Sequence, residues 1–338
     1  MTIYNIGDQA RAYALQMATG RLKTSMTVLT RELASGESAD IGARLRGNTT
    51  SLSAIEARLS ALEQFKRNAS EAAILTRGLG EVLESVRQDA AELGQVLANE
   101  PFSGTGASLS VRAGQTTTIF DAAVQRLNAT AGGHFLFSGL ASDRPPLASA
   151  AQMLDALSTV TAGLTTASDV AAAVGNWFDA PPGGGGFLDT AYFGTIGESR
   201  RIPIADNMAI SLGTSAASPE VRELLKALAT AAIVDRNTLP GQDDQRGALV
   251  ELAGRKLLAA EQGLIKEQGR LGLTEQIIER STSMSAAAVA TLQLSRADIR
   301  NVDVVETAAA LKEVDGQLEA LYAVTARLAK LKLVDFLR

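Results

Sequence analysis

Side chains able to do acid–base, nucleophilic or metal chemistry are few in this sequence and poorly spaced for it. The 338 residues include one histidine, His134, and no cysteine. That excludes multi-histidine metal sites, thiolate nucleophiles, cysteine-ligated metals and disulfides. A Ser-His-Asp triad would have to use His134, and no G-x-S-x-G elbow presents a serine to it. His134 therefore reads as a histidine at the start of a short strand, "HFLFSG". "GTGASL" (104–109) has two glycines of a dinucleotide fingerprint but lacks the third and a preceding strand. "GGGG" (183–186) has no following Lys-Ser/Thr, so it is not a phosphate loop. Asp243 and Asp244 follow Gly and Pro, where a helix N-terminus favours negative charge. Asn48, Asn68 and Asn128 match the glycosylation acceptor pattern but fall in predicted helix or its flank. These residues predict no catalytic site, cofactor site or metal site, and no enzyme.

Composition points the same way. Apolar residues make up 46% of the chain and aromatics 4%, so Ala, Leu and Val dominate, a mix suited to closely packed helices. The net charge of −5 leaves no basic footprint for nucleic acid. No run of about 18 apolar residues predicts a membrane span. The first residues lack an ordinary secretory signal, because Asp8 precedes Arg11 and the apolar stretch after it is short and partly polar. Composition alone suggests a cytoplasmic protein.

Periodicity supplies the stronger signal. Leu52, Ile55, Leu59 and Leu62 fall three and four apart, on one helix face. The stripe continues through Phe65, Ala69, Ala72, Thr76, Leu79, Leu83, Val86, Ala90, Leu93 and Leu97, predicting one helix of roughly 70 Å. "NEPFSGTG" (99–106) ends it. A second helix carries Ile119, Phe120, Ala123, Val124 and Leu127, and Gly132-Gly133 stops it. "SDRPPL" marks a boundary, since both prolines disfavour helix around them. Residues 143–240 differ in character. They predict helices near 150–163 and 168–178, a "PPGGGG" loop, a hairpin in "RRIPIADNMAISLG", and a helix from Ser218-Pro219 through Val234. Helix returns over 243–300, where Leu257, Leu264, Leu271 and Ile278 recur every seven residues.

Apolar stripes also mark the outer segments. Leu15, Leu22, Met26, Leu29 and Leu33 form one; Leu311, Val314, Leu318, Leu321 and Leu328 form the other, running on to Phe336 and Leu337. A stripe without a polar tail or cap expects a partner surface. The fold class is thus mainly α: a long antiparallel helical rod or coiled coil of N- and C-terminal arms, with a small α+β insert. The expected divisions are assembly helices at 1–40 and 303–338, rod parts at 41–142 and 241–302, and an outer insert at 143–240. Because the long seams pair 52–97 with 243–300, exchanging 144–239 for a short linker is expected to spare the long helices.

Three stretches carry a resemblance. "RLKTSMTVLTRELASGE", "GGHFLFSGLASDRPPL" and "LEALYAVTARLAKLKLVDFLR" resemble the flagellin superfamily of bacterial flagellar axial proteins, the second being closer to hook–filament junction proteins than to flagellins. "ESADIGARLRGN" departs from the usual Asp-rich stretch. The resemblance implies a structural subunit joining hook to filament, assembling through the two striped segments. It implies an extracellular, flagellar location after type III export without a cleavable signal. The implied partners are lateral copies of itself, the adjacent hook-associated protein, flagellin and an export chaperone, with neither nucleic acid nor membrane. The rival expectations are a filament-building flagellin and a cytoplasmic helical scaffold or signalling protein with a ligand-binding insert.

Overall fold

The computed structural model describes residues 6–99 and 106–336. The protein is mainly α, with two small antiparallel sheets of two strands each. The elements, in order, are α1 (Ile6–Ser35), α2 (Ile41–Arg44), α3 (Thr50–Asn99), α4 (Gly106–Leu127), β1 (Thr130–Ala131) and β2 (His134–Phe135). Next come α5 (Ala150–Val160), α6 (Ala167–Asp179), α7 (Phe187–Thr190), β3 (Arg200–Ala205), β4 (Met208–Leu212) and α8 (Pro219–Ala232). A 3-10 turn (Ile233–Arg236) leads to α9 (Asp243–Arg300) and α10 (Val304–Phe336). The chain forms two compact units, residues 1–61 with 287–338 and residues 62–286.

In the first unit α1 and α10 lie against each other. They run antiparallel, since the turn after α1 pairs with the turn before α10: Ser38 N donates to Arg300 O (2.8 Å) and Val302 N to Gly36 O (3.0 Å). Gly36 has φ +73°, the left-handed geometry that ends α1 without side-chain strain. Ion pairs reinforce the corner, Arg300 reaching both Glu37 (2.9 Å) and Glu56 (3.7 Å). Asp303 caps α10 by accepting the N–H groups of Val305 (2.8 Å) and Glu306 (3.1 Å). The segment 37–48, whose sequence departs from the resemblance, folds as α2 and its turns, with Asp40 accepting from Ala43 N at 2.8 Å.

In the second unit the expected seams form. Leu62, Ala69, Ala72, Thr76, Leu79, Leu83, Val86, Ala90, Leu93 and Leu97 of α3 are all buried, as are Leu257, Leu264, Leu271 and Ile278 of α9. The two helices run antiparallel, joined by ion pairs and hydrogen bonds such as Arg87–Glu261 (2.7 Å) and Gln268–Glu84 (2.8 Å). They approach tightly at Gly254, where a Cβ would lie 2.7 Å from Ala98 N. Only a residue without a side chain fits there.

Residues 143–240 do not close a core of their own. One continuous apolar cluster contains α3, α4 and α9 residues together with Leu154, Val174, Phe187, Ile204, Leu224 and Leu228. Helix α8 is buried on nearly every face, packed against α4 and α6, as an all-round core helix must be. The hairpin is tied to the long helices through Pro203 O, which accepts from Asn68, and Ile204 O, which accepts from Ser281. Removing 144–239 would therefore open the core of α3, α4 and α9, contrary to the expectation from the seams alone. The predicted helices near 150–163 and 168–178 appear as α5 and α6. A capping box at Ser149–Gln152 starts the first, and Thr166 caps the second. In the hairpin Ile202, Ile204, Ile210 and Leu212 are buried, but Met208 is exposed, because a register irregularity between Pro203 and Ala205 turns it outward. The helix expected to run through Val234 tightens to 3-10 after Ala232.

Candidate functional site

The residues that drew attention for their chemistry are absorbed by the fold. His134 sits in β2, and its Nδ1 lies 3.1 Å from the Ser142 hydroxyl, beside a cavity of about 20 Å³ that holds no more than one water-sized molecule. The glycine loop is filled by its own acid: Gly183 and Gly185 donate N–H bonds to the Asp189 carboxylate at 2.8 and 2.7 Å. These donors hold that carboxyl below the usual carboxylate range and leave none of the pair for a phosphate. Asn68 donates to Pro203 O, and Asn128 both donates to Leu147 O and accepts from Leu147 N, so both amides serve the fold. Asp243 and Asp244 open α9, as the helix dipole favours. In "GTGASL", Gly106–Leu109 belong to α4; Gly104 and Thr105 lie outside the described residues.

Two buried charges are likewise paired. Lys226 bonds Asp179 (2.6 Å) and Glu223 (2.7 Å), and Glu267 accepts from the Thr214 hydroxyl and pairs with Arg270 (2.7 Å). Burial, with Lys226 nearby, lowers the Lys256 amine below the ordinary lysine range. Among the described residues no group of three His, Asp or Glu is placed to hold a metal. No described helix is long and apolar enough to cross a membrane.

The striped segments make a surface of a different kind. Nine of the residues singled out in the sequence line the antiparallel α1–α10 pair. Leu15, Leu22, Met26, Leu29 and Leu33 are half-buried on α1, Leu311, Val314 and Leu321 half-buried on α10, and Leu318 is 5% exposed. Their 3–4 spacing thus meets a partner within the same chain. Leu328 continues the α10 stripe but is exposed. The Phe336 side chain and Leu337 lie outside the described residues.

Two helices alone cannot cover more than one face of each other. Tyr13, Met17 and Val28 on α1, and Val304, Val305, Tyr322, Val324 and Leu328 on α10, remain exposed. Apart from Leu328 these residues were not singled out from the sequence. Their signal was single apolar residues off the striped face, such as Tyr13 and Met17 one turn apart on α1, which the stronger heptad masked. A cation–π contact crosses the pair, with Lys23 Nζ 5.9 Å from the Tyr322 ring centroid.

The α1–α10 pair thus keeps apolar side chains exposed, and it is joined in sequence to a helical body with a small hairpin. No family model matches the sequence, and no curated protein matches it. Solved structures do. A protein described as a flagellar hook-associated protein from Vibrio parahaemolyticus superposes with TM-score 0.52 at 12% identity, covering 74% of this chain and 96% of that one. Bacillus cereus FlgL gives TM-score 0.49 at 13% identity, covering 72% and 99%. At such identities the first likeness establishes a shared fold.

Proposed function

We propose that this protein is a non-enzymatic structural subunit of the bacterial flagellum, placed where hook meets filament. The observation that carries the reading is the α1–α10 pair: its inner seam is satisfied, while Tyr13, Met17, Tyr322, Val324 and Leu328 keep apolar surface in water. Scattered exposed apolar residues are ordinary, but Tyr13 and Met17 share one face of α1 and Val324 and Leu328 share one face of α10, four residues apart in each case, so each helix of the pair carries apolar surface of the kind that marks a contact. The fold shared with a hook-associated protein supports the flagellar setting. In this reading the terminal pair orders against lateral copies, whose burial of these faces offsets the entropy of fixing the two helices. The axial partners are then the adjacent hook-associated protein and flagellin. Delivery is by flagellar export with a chaperone, to an extracellular site.

The test is deletion of the gene. Cells lacking it should keep hooks, lose filaments and shed flagellin into the medium, and the wild-type chain should restore filaments. Seeded growth of the purified protein separates this role from that of a flagellin, because an open helical polymer propagates through complementary faces. Long tubes made of this chain alone would assign it to the filament.

A further inference from the structure

The end of α1 and the start of α10 lie side by side, yet no covalent loop joins them. Gly36 and Val302 stand far apart in the sequence, and their turns are bonded to each other like the two legs of a helical hairpin. Ser38 N donates to Arg300 O, Val302 N donates to Gly36 O, and Glu37 bridges Asn301 between them. Glu32 holds the α1 side of this corner, its carboxylate accepting from Ala39 N at 2.8 Å and from the Ser38 hydroxyl at 3.4 Å. In an ordinary hairpin a short loop raises the effective concentration of one helix for the other. Here hydrogen bonds and charge do what the loop would do.

The charge comes from arginines. Arg300, the last residue of α9, reaches Glu37 in the turn after α1 (2.9 Å) and Glu56 on α3 (3.7 Å). Arg44 of α2 donates to Asn301 O, tying α2 to the turn before α10. The grip is close to balance. Both carboxylates on Arg300 are about half exposed, so water and salt screen the pairs. Its Nε is buried without an acceptor among the described residues, a cost that opening would relieve. The seam holds little in reserve. No described α1 side chain is fully buried, and on α10 only Thr307 and Leu318 are among those described, both in the half nearer the corner. Because helices in proteins draw most of their stability from a packed face, two helices that part here lose their protection together.

We infer that the corner is an ionic latch on the α1–α10 pair. Closed, with Arg300 on Glu37 and Glu56 and Arg44 on Asn301 O, it holds the two helix ends together, and the seam zips outward from it. Open, it lets both helices part along their length, although no seam residue has changed. The pair is then a unit with two states, set by charge at one end and not by the apolar stripes alone. The latch is a property of a single chain. The inference therefore goes beyond the assembly reading, and neither depends on the other.

Hydrogen exchange of the full chain, as dilute monomer and followed peptide by peptide, tests it. Arg300→Gln should speed exchange about fivefold across 9–35 and 304–328 and leave 62–286 unchanged. Glu37→Gln should act in the same direction and add little to Arg300→Gln, since both open one contact. Arg255→Gln breaks an exposed pair with Glu251 elsewhere on α9 (2.6 Å) and, as the comparison, should leave the terminal helices as they are. The unaltered chain gives a reading free of any effect of substitution on folding. Between about 0.05 and 0.5 M salt its exchange over 9–35 and 304–328 should rise about threefold, and in Arg300→Gln that rise should shrink. Acceleration confined to 35–45 and 298–303, an equal effect of Arg255→Gln, or an unaltered chain indifferent to salt would overturn the inference.

Discussion

At the scale of single residues, Leu318 and Leu328 belong to one stripe but meet different fates. Leu318 is 5% exposed in the α1–α10 seam, and Leu328, ten residues on, is 38% exposed. A charge at Leu318 would have to be buried without a partner or would force the seam open. Leu318→Asp is therefore expected to cost about 2–4 kcal/mol of seam stability. Amide exchange of residues 6–35 and 304–328 should accelerate, while residues 62–286 keep their protection. Leu328→Asp places its charge in water, so exchange in the monomer should not change, although assembly should fail. If both variants behaved alike by hydrogen exchange, the seam would not be where the geometry puts it.

At the scale of elements, the α3–α9 pair depends on what its glycines allow. At Gly254 an added Cβ would lie 2.7 Å from Ala98 N and 2.8 Å from Leu97 Cβ, and backbone cannot step aside as a side chain can. Gly254→Ala should destabilise the protein by about 1–3 kcal/mol, the usual cost of overpacking. Gly80→Ala, on the open side of the same pair, should stabilise it by about 0.5–1 kcal/mol. Denaturant midpoints of the two variants should thus move in opposite directions. The polar side of the pair is pH-sensitive. Arg87 and Gln268 hold the Glu84 carboxyl at about 2 instead of 4.5. Because the folded value is the lower one, the contribution of Glu84 is fully present above about pH 4.5 and is lost as pH falls towards 2. Glu84→Gln should flatten the dependence of stability on pH in that window and leave its slope at neutral pH unchanged. Much of this pair was legible in the sequence. The heptad Leu257, Leu264, Leu271 and Ile278 announced a buried face, and all four are buried. The glycine contact was not legible, since a helical glycine reads only as weakened helix until the opposing backbone is seen. The antiparallel pairing of the two arms was legible in the fold class as well. Period shows that a face is covered but not by what, and within the chain the half-buried α1 and α10 stripes meet each other.

At the scale of the whole molecule, the segment 143–240 is where reading by composition and reading by packing part company. Its prolines, glycines and hairpin suggested a module hung on long helices. Period and turn signals located α5, α6 and the hairpin well, because these are encoded locally. They could not report that α8 is enclosed against α4 and α6, since Glu220, Arg222, Glu223 and Lys226 make its sequence read as an ordinary amphipathic helix with one face in water. Phe120, Leu127, Leu224, Leu228 and Leu249 are each fully buried within one cluster, drawn from α4, α8 and α9. Replacing 144–239 by a Gly-Ser linker would expose the apolar faces of α4 and α9 that α8 covers. At about 25 cal/mol per Å² of apolar surface, losing even a few such side chains exceeds the net stability of an ordinary domain. The truncated chain should therefore lose helical circular dichroism well beyond the deleted residues and bind hydrophobic dye, while Leu224→Ala, a smaller cut in the same place, should cost about 2–5 kcal/mol. Retention of a sharp melt with α3, α4 and α9 intact after the replacement would show instead that the long helices hold their own core, and that α8 merely rests on it.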